Sequence, residues 1–228
     1  MSSTTGDTIE HDDYQTPQNA IDALLKLVEL REDDDFLEPC RGTESRIFNA
    51  INLPEEQKYW CEIQENRDYL TTDFGKKFDV IITNPPFSLS EEFIRKMRSE
   101  LAEDGTLIFL QRVNFLGSKK RIPFWNEIGF PEKAPILIPR PKFTKNGTDS
   151  CEYCWYIFDS GHRTNKIPNA FSHIQAETPK IQSKIKKPKT TKRKEPKTDV
   201  PVTIEPVIGI NSQSNTSNGN PFLALDNF

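Results

Sequence analysis

Lys77-Phe78-Asp79-Val80-Ile81-Ile82-Thr83-Asn84-Pro85-Pro86-Phe87 is the stretch from which the rest of the chain is best read. Phe78–Thr83 is almost continuously apolar and rich in β-branched residues. That pattern suits a strand buried on both faces, as in a parallel sheet, better than a strand with one wet side. The run stops at Asn84, and two prolines follow. Proline fixes φ and carries no N–H, so the strand delivers its end into a rigid corner that offers carbonyl acceptors and no proline donors.

Working outward, strands and helices alternate. Towards the N-terminus, Ile21, Leu24, Leu25 and Val28 recur at helical spacing, which predicts a helix from Pro17 to about Leu30 with Thr16 as its N-cap. The segment 33–44 (DDDFLEPCRGTE) gives a short strand entering a polar, glycine-containing turn, SRIFNAINL a helix, and KYWCEI a second strand. Towards the C-terminus, SLSEEFIRKMRSEL is a helix with Ser88 or Ser90 as N-cap and acids in its first turn. GTLIFLQRV is another buried strand, a helix or turn follows over 118–127, and APILIPRPKF and CEYCWYIF close the series. Alternation of this kind indicates an α/β, doubly wound, mostly parallel sheet. The last two strands have no clear helix between them, so a terminal antiparallel hairpin is expected. In such sheets ligands bind beyond the carboxyl ends of the strands.

The chain has 228 residues, 35% hydrophobic and 28% charged. So polar a composition leaves part of it outside any core. Residues 1–13 are expected to be disordered, 14–162 to form the domain, and 163–228 to form a tail. The net charge of −4 hides a division: residues 163–198 carry 11 Lys and Arg against two acids, on an otherwise acidic chain. The basic run over 180–197 suits an electrostatic arm for a polyanion. The final PFLALDNF is an apolar patch beyond a polar linker and a candidate docking motif for a protein partner. No run reaches 18 apolar residues and the first residues do not resemble a secretion signal, so a cytoplasmic, reducing setting is expected. The four cysteines should then be thiols. Cys151 and Cys154 form a lone CxxC at the start of a strand, without a nearby histidine, and no metal site is expected.

Asn84-Pro85-Pro86-Phe87 carries the chemistry. The Asn84 side-chain oxygen and the Pro85 carbonyl can accept the two protons of an exocyclic amine and favour its tetrahedral, nucleophilic form. Phe87 can stack on a planar base. This corner after Phe78–Thr83 resembles that of the S-adenosylmethionine-dependent amino-group DNA methyltransferases, the adenine type in particular, and several segments are similar to the compact phage-type adenine methylases. Asp13-Tyr14-Gln15-Thr16-Pro17 resembles the segment that contacts the methionine end of the cofactor. Phe36-Leu37-Glu38-Pro39-Cys40-Arg41-Gly42 resembles the glycine loop around that end. Trp60-Cys61-Glu62-Ile63 resembles the second strand with its ribose-binding acid, and Arg67-Asp68-Tyr69-Leu70 the segment whose Asp receives the cofactor adenine's amino group. Asn114–Arg121, Arg140–Phe143, Gly147–Asp149 and Glu152–Trp155 resemble the phage-type enzymes as well. The resemblance covers about residues 13–160.

It implies a Rossmann-like methyltransferase fold over 14–162 and S-adenosyl-L-methionine as cofactor. It further implies cofactor contacts from Tyr14, Thr16, Pro17, Glu38, Pro39, Cys40, Gly42, Glu62 and Asp68, and a catalytic corner of Asn84, Pro85, Pro86 and Phe87. The implied reaction is methyl transfer to the N6 amine of adenine in DNA. The base would be flipped out of the duplex, with Lys119, Lys120, Arg121, Arg140, Lys142 and Lys145 on phosphates. Two departures stand out. Glu44 occupies the place of the loop's last glycine, where a side chain would narrow the cofactor site or reshape the turn. Only five residues separate Glu62 from Asp68, too few for the usual helix. Alternative substrates are another planar amine (cytosine N4, ribosomal RNA guanine N2, protein glutamine), and the alternative class is a non-catalytic binding protein on the same fold.

Overall fold

The computed structural model describes residues 14–143, 150–167 and 173–176. Seven strands form one sheet: β1 Phe36–Glu38, β2 Lys58–Trp60, β3 Phe78–Thr83, β4 Leu101–Arg112, β5 Ile136–Ile138, β6 Tyr153–Asp159 and β7 His173–Gln175. Their order is β2-β1-β3-β4-β6-β5-β7. The first four are parallel. β6 runs antiparallel to β4 along seven residue pairs, from Thr106↔Asp159 to Arg112↔Tyr153, and antiparallel to β5 through Ile136↔Cys154. The expected terminal antiparallel pair is therefore present, with β6 inserted between β4 and β5. β7, which the sequence did not suggest, pairs parallel with β5 and lies at the end of the sheet.

Both faces of the sheet are covered, as the apolar runs require. Val80 and Ile82 of β3, Ile108 and Leu110 of β4, and Tyr153, Trp155 and Ile157 of β6 belong to one core, with α1 (Gln18–Leu25) and α2 (Arg46–Ala50). Their alternates Phe78, Ile81, Leu107, Phe109, Cys154, Tyr156 and Phe158 belong to the other, with α3 (Ser90–Glu100) and α4 (Ile122–Ile128). Cys154 is thus an apolar-core thiol, its pKa pushed up to about 12 by burial. Among the described residues no group of acids, histidines and cysteines could hold a metal ion, and no helix is long and apolar enough to cross a membrane.

Helix starts differ from expectation in detail. Pro17 itself is the N-cap of α1, with extended backbone, and the Thr16 side chain does not cap it. α1 ends at Leu25, short of Leu30, because the chain then turns and Glu29 N–H bonds to the Arg163 carbonyl at 2.8 Å. Leu89, rather than Ser88 or Ser90, is the N-cap of α3. Ser90 is the first residue of that helix, its hydroxyl turned back to the Pro86 and Phe87 carbonyls.

The fold also continues past residue 162, where the sequence placed the start of the tail. Ile167, Ile174 and Ala176 are buried in the first core. The Arg163 guanidinium is buried against Asp34, the residue two before β1, with Nε–Oδ2 3.1 Å and Nη2–Oδ1 2.5 Å, and it donates to the Asp104 carbonyl at 2.7 Å. Asp159 at the end of β6 accepts from the backbone of Arg163 and Thr164 and from the hydroxyls of Thr106 and Thr164. Burial pushes the Asp159 pKa up, but these hydrogen bonds together outweigh it and hold the carboxyl below its usual value. A basic residue at the head of a basic run looked like solvated tail. Its partner lies 129 residues away in sequence, and local pattern carries no trace of that pairing. The basic run over 180–197, the apolar C-terminal end and residues 1–13 lie outside the described residues.

Breaking a buried ion pair on one side costs about 3–5 kcal/mol, whereas replacing both partners by apolar residues costs far less. Arg163→Met should therefore lower stability by about that amount in urea denaturation, and Asp34→Leu added to it should recover most of the loss. A chain ended after residue 162 should show no cooperative unfolding transition. An unchanged midpoint in Arg163→Met would refute the role given to this pair.

Candidate active site

The carboxyl ends of β1, β2 and β3 meet at a cavity of about 460 Å³, within the roughly 300–1,000 Å³ common for small-molecule sites. β1 lies between β2 and β3, so the chain runs to one side after β1 and to the other after β3, and the crevice that opens between them is where such sheets bind ligands. The segment after β1 supplies Glu38–Gly42, the segment after β2 supplies Glu62–Gln64 and Asp68, and the corner after β3 supplies Asn84, Pro86, Ser88 and Leu89. Tyr14, Gln15 and Thr16 close the cavity from the N-terminal side. Of the residues expected to bind cofactor, all but Pro17 line it.

Glu62 organises the wall between two of these segments. Its carboxylate accepts the Gly42 N–H at 2.7 Å and the Gln64 N–H at 3.1 Å. Each oxygen still has a lone pair to offer. The short span to Asp68 is met by one 3₁₀ turn, Ile63–Glu65, closed by paired backbone bonds between Glu62 and Arg67. The Asp68 carboxylate accepts the Leu70 N–H at 3.0 Å. Gly42 has φ +65°, a left-handed value that favours glycine. The next left-handed residue of the loop is Ser45, at φ 49°. Glu44 is exposed, pairs with Arg46 at 2.5 Å and does not line the cavity. The expected narrowing by Glu44 is therefore not found: the backbone needs no glycine at 44, and the side chain leaves toward solvent.

Two buried oxygens in this cavity's lining residues have no hydrogen-bond partner: Glu38 Oε2 and Asn84 Oδ1. Burial is the main reason the Glu38 carboxyl titrates well above its ordinary value. The Glu62 charge adds to this, while the Phe48 N–H and Arg41 pull the other way. The Asn84 amide is oriented from its other end, where Nδ2 donates to the Tyr14 carbonyl at 2.7 Å. The Cys40 thiol lies 3.0 Å from the Thr83 hydroxyl and 3.3 Å from the Asn84 carbonyl, and burial raises its pKa strongly.

Pro85 and Phe87 are not in the cavity lining. Pro85 is buried. Phe87 stands in an aromatic group, near-parallel to Tyr14 (18°, centroids 6.2 Å apart) and tilted against Tyr153 at 5.9 Å, with the Arg112 guanidinium 5.2 Å from its ring. Of the basic residues expected on phosphates, Lys119, Lys120 and Lys142 are exposed. Arg121 bonds to Glu91 at 3.0 Å, and Arg140 pairs with Glu152. Lys145 lies outside the described residues. Sequence reasoning passed over Gln15 and Arg46 as site residues. The Gln15 amide reaches Thr43 and the Glu44 N–H, and Arg46 holds the Thr16 carbonyl at 3.1 Å. Gln15 stood inside a quoted motif, but nothing in the sequence marked its long-range partners.

No protein-family model matches the chain, and no curated protein sequence matches it. Solved structures do. A protein from Vibrio vulnificus assigned as a modification subunit of a type I restriction enzyme superimposes with TM-score 0.50 at 14% identity, covering 78% of this chain and 49% of that one. The type I restriction-modification methyltransferase subunit from Streptococcus thermophilus gives 0.48 at 15%, covering 64% and 45%. Precorrin-6y C5,15-methyltransferase from Geobacter metallireducens gives 0.48 at 14%, covering 70% and 96%. The chain spans about half the length of the two restriction-system subunits. The likeness lies in the fold: an α/β, Rossmann-like sheet, mostly parallel with an antiparallel strand.

The raised pKa of Glu38 has a consequence for stability. The folded protein holds this proton more tightly than the unfolded chain, so the cost of the buried charge is absent below about pH 4.5, the ordinary value, and grows as pH rises towards the folded pKa. Glu38→Gln should melt close to the parent at pH 4 and increasingly above it as pH rises. Parallel melting curves against pH would remove Glu38 as a buried, unpaired acid.

Proposed function

We propose that the protein is an S-adenosylmethionine-dependent methyltransferase acting on the exocyclic N6 amine of adenine in DNA. The observation that carries this reading is the half-satisfied Asn84 amide. Its nitrogen is committed to Tyr14, and its buried oxygen has no donor, on a residue that lines a ligand-sized cavity. A buried acceptor left unmet costs about 1–3 kcal/mol, and an amine held there would meet it. Glu38, which lines the same cavity, supplies the second unpartnered oxygen, Oε2, suited to a cationic amine, whose charge would also draw the Glu38 proton off.

The residues fit the cofactor that the sequence resemblance implies. Glu38 would receive its amino group, Glu62 its ribose hydroxyls and Asp68 its adenine amine. Gly42 allows close backbone approach, and Tyr14 and Thr16 would flank the methionine end with Pro39 and Cys40, Pro17 standing behind them as the N-cap of α1. The cofactor brings a methyl group already activated on a sulfonium. The chain's own task is alignment. Asn84 Oδ1 and the Pro85 carbonyl would accept from the target amine and favour its tetrahedral form. Phe87 would stack on the flipped base, which requires the base to enter beside Tyr14 and Tyr153. Exposed Lys119, Lys120 and Lys142 support a polyanionic substrate.

The test is incubation with methyl-labelled cofactor and DNA, RNA or protein, followed by nucleoside and residue analysis. Label on N6-methyladenine is expected; label on another amine would move the substrate, and none at all would reject the activity. Asn84→Ala should cost roughly 2.7–4 kcal/mol at the chemical step, about a hundredfold to a thousandfold in single-turnover rate, with the melting temperature and cofactor affinity nearly kept. Glu62→Ala should instead weaken cofactor binding by on the order of 1.5–3 kcal/mol, read by calorimetric titration.

A further inference from the structure

Behind the Asn84–Phe87 corner lies a buried polar pair that the proposed chemistry does not itself use. Gln111, the penultimate residue of β4, and Ser90, the first of α3, are 3% and 2% exposed. Gln111 Nε2 donates to Ser90 Oγ at 2.7 Å, while Gln111 Oε1 accepts the Arg112 N–H at 2.8 Å. The second bond fixes the direction of the first, because the amide oxygen is already engaged and the NH₂ must face Ser90. With Ser90 Oγ accepting from Gln111, its single proton is directed to the Pro86 and Phe87 carbonyls, at 3.2 and 3.1 Å.

A serine early in a helix often returns its hydroxyl to the carbonyls three and four residues back. What differs here is a second strand's buried amide holding that hydroxyl in one orientation. The corner is anchored at its beginning by β3 and by the bonds of Asn84 to Tyr14 and Cys40, and at its end the Phe87 ring packs on Tyr14 and Tyr153 while the Pro86 carbonyl accepts the Leu89 N–H at 3.1 Å. Ser90 adds the side-chain bonds to both of its carbonyls. We propose that Ser90 and Gln111 are positioning residues that hold the Pro86–Phe87 end of the corner in register with Asn84, so that the target base meets its acceptor and its stacking ring together. The inference rests on the methyl-transfer reading given above.

A misplacement of about 1 Å in an aligning group can cost on the order of a hundredfold in rate. Ser90→Ala and Gln111→Glu should each lower single-turnover methyl transfer about ten- to a hundredfold, while the dissociation constant for S-adenosylhomocysteine stays within about twofold of the parent's. Gln111→Glu keeps the shape but makes both terminal atoms acceptors, which turns the Ser90 proton away from the corner. Ser90→Thr, which keeps the hydroxyl, should restore most of the rate lost in Ser90→Ala. Melting curves on each variant normalise the rate to folded protein. Should Gln111→Glu fail to fold, the Ser90 pair of variants decides alone. A folded Ser90→Ala that transfers methyl at the parent rate overturns the inference and leaves the activity standing. So does a loss that appears only in cofactor affinity, or one that Ser90→Thr fails to repair. A parent protein that methylates nothing overturns both.

Discussion

A strand buried on both faces can carry polar side chains only at its ends. β3 obeys this constraint, and the rest of the molecule follows from it. Val80 and Ile82 pack into one core and Phe78 and Ile81 into the other; Asp79 serves the Asp35 N–H beside the strand's start, and the first polar side chain to reach the cavity is Asn84, just past Thr83 where the strand stops. β1 meets the same limit: Phe36 and Leu37 lie on opposite sides, and Glu38 ends the strand. Two parallel neighbours that end together place an amide and a carboxyl beside one cavity without any loop having to carry them there. The acceptors are held by the sheet, and their cost is met by the cores on either side.

The opposite ends of the strands are polar too, but there, among the described residues, no buried side-chain nitrogen or oxygen lacks a partner. Asp34, Asp104, Asp159, Arg163, Thr106 and Thr164 share out donors and acceptors among themselves. The contrast between a matched end and an end with orphaned acceptors is what supports placing the proposed site at the latter. Both ends hold buried carboxylates. At one, hydrogen bonds bring Asp159 below its usual value; at the other, burial leaves Glu38 raised.

What the sequence made legible was whatever depends on neighbours along the chain. Phe78–Thr83 reads as a buried strand from its composition, and Asn84–Phe87 as a corner from its prolines. What it hid depends on partners far away. Arg163 reads as tail until Asp34 is seen opposite it. Gln15 reads as a spacer in a motif until it is found against the glycine loop. Ser90 reads as a helix cap, and only Gln111, from another strand, gives its hydroxyl a direction. β7 is three residues long, and no strand of that length announces itself. Glu44 shows the reverse error: judged by its place in a motif it looked obstructive, but the local backbone puts its left-handed turn one residue later.

Gln15 and Gly42 leave an asymmetry between two positions that never meet in sequence. A Cβ built on Gly42 would lie 2.3 Å from Gln15 Nε2, and the backbone there is left-handed besides. The torsion is what asks for glycine; the contact is with the far end of a flexible side chain, which can swing aside at the cost of its bonds to Thr43 and the Glu44 N–H. Shortening residue 15 therefore leaves the demand at 42 in place, whereas a side chain at 42 strains the backbone and displaces the Gln15 amide as well. Change at this contact has a direction: residue 15 can vary first, and residue 42 can follow only after the loop has found another way to turn.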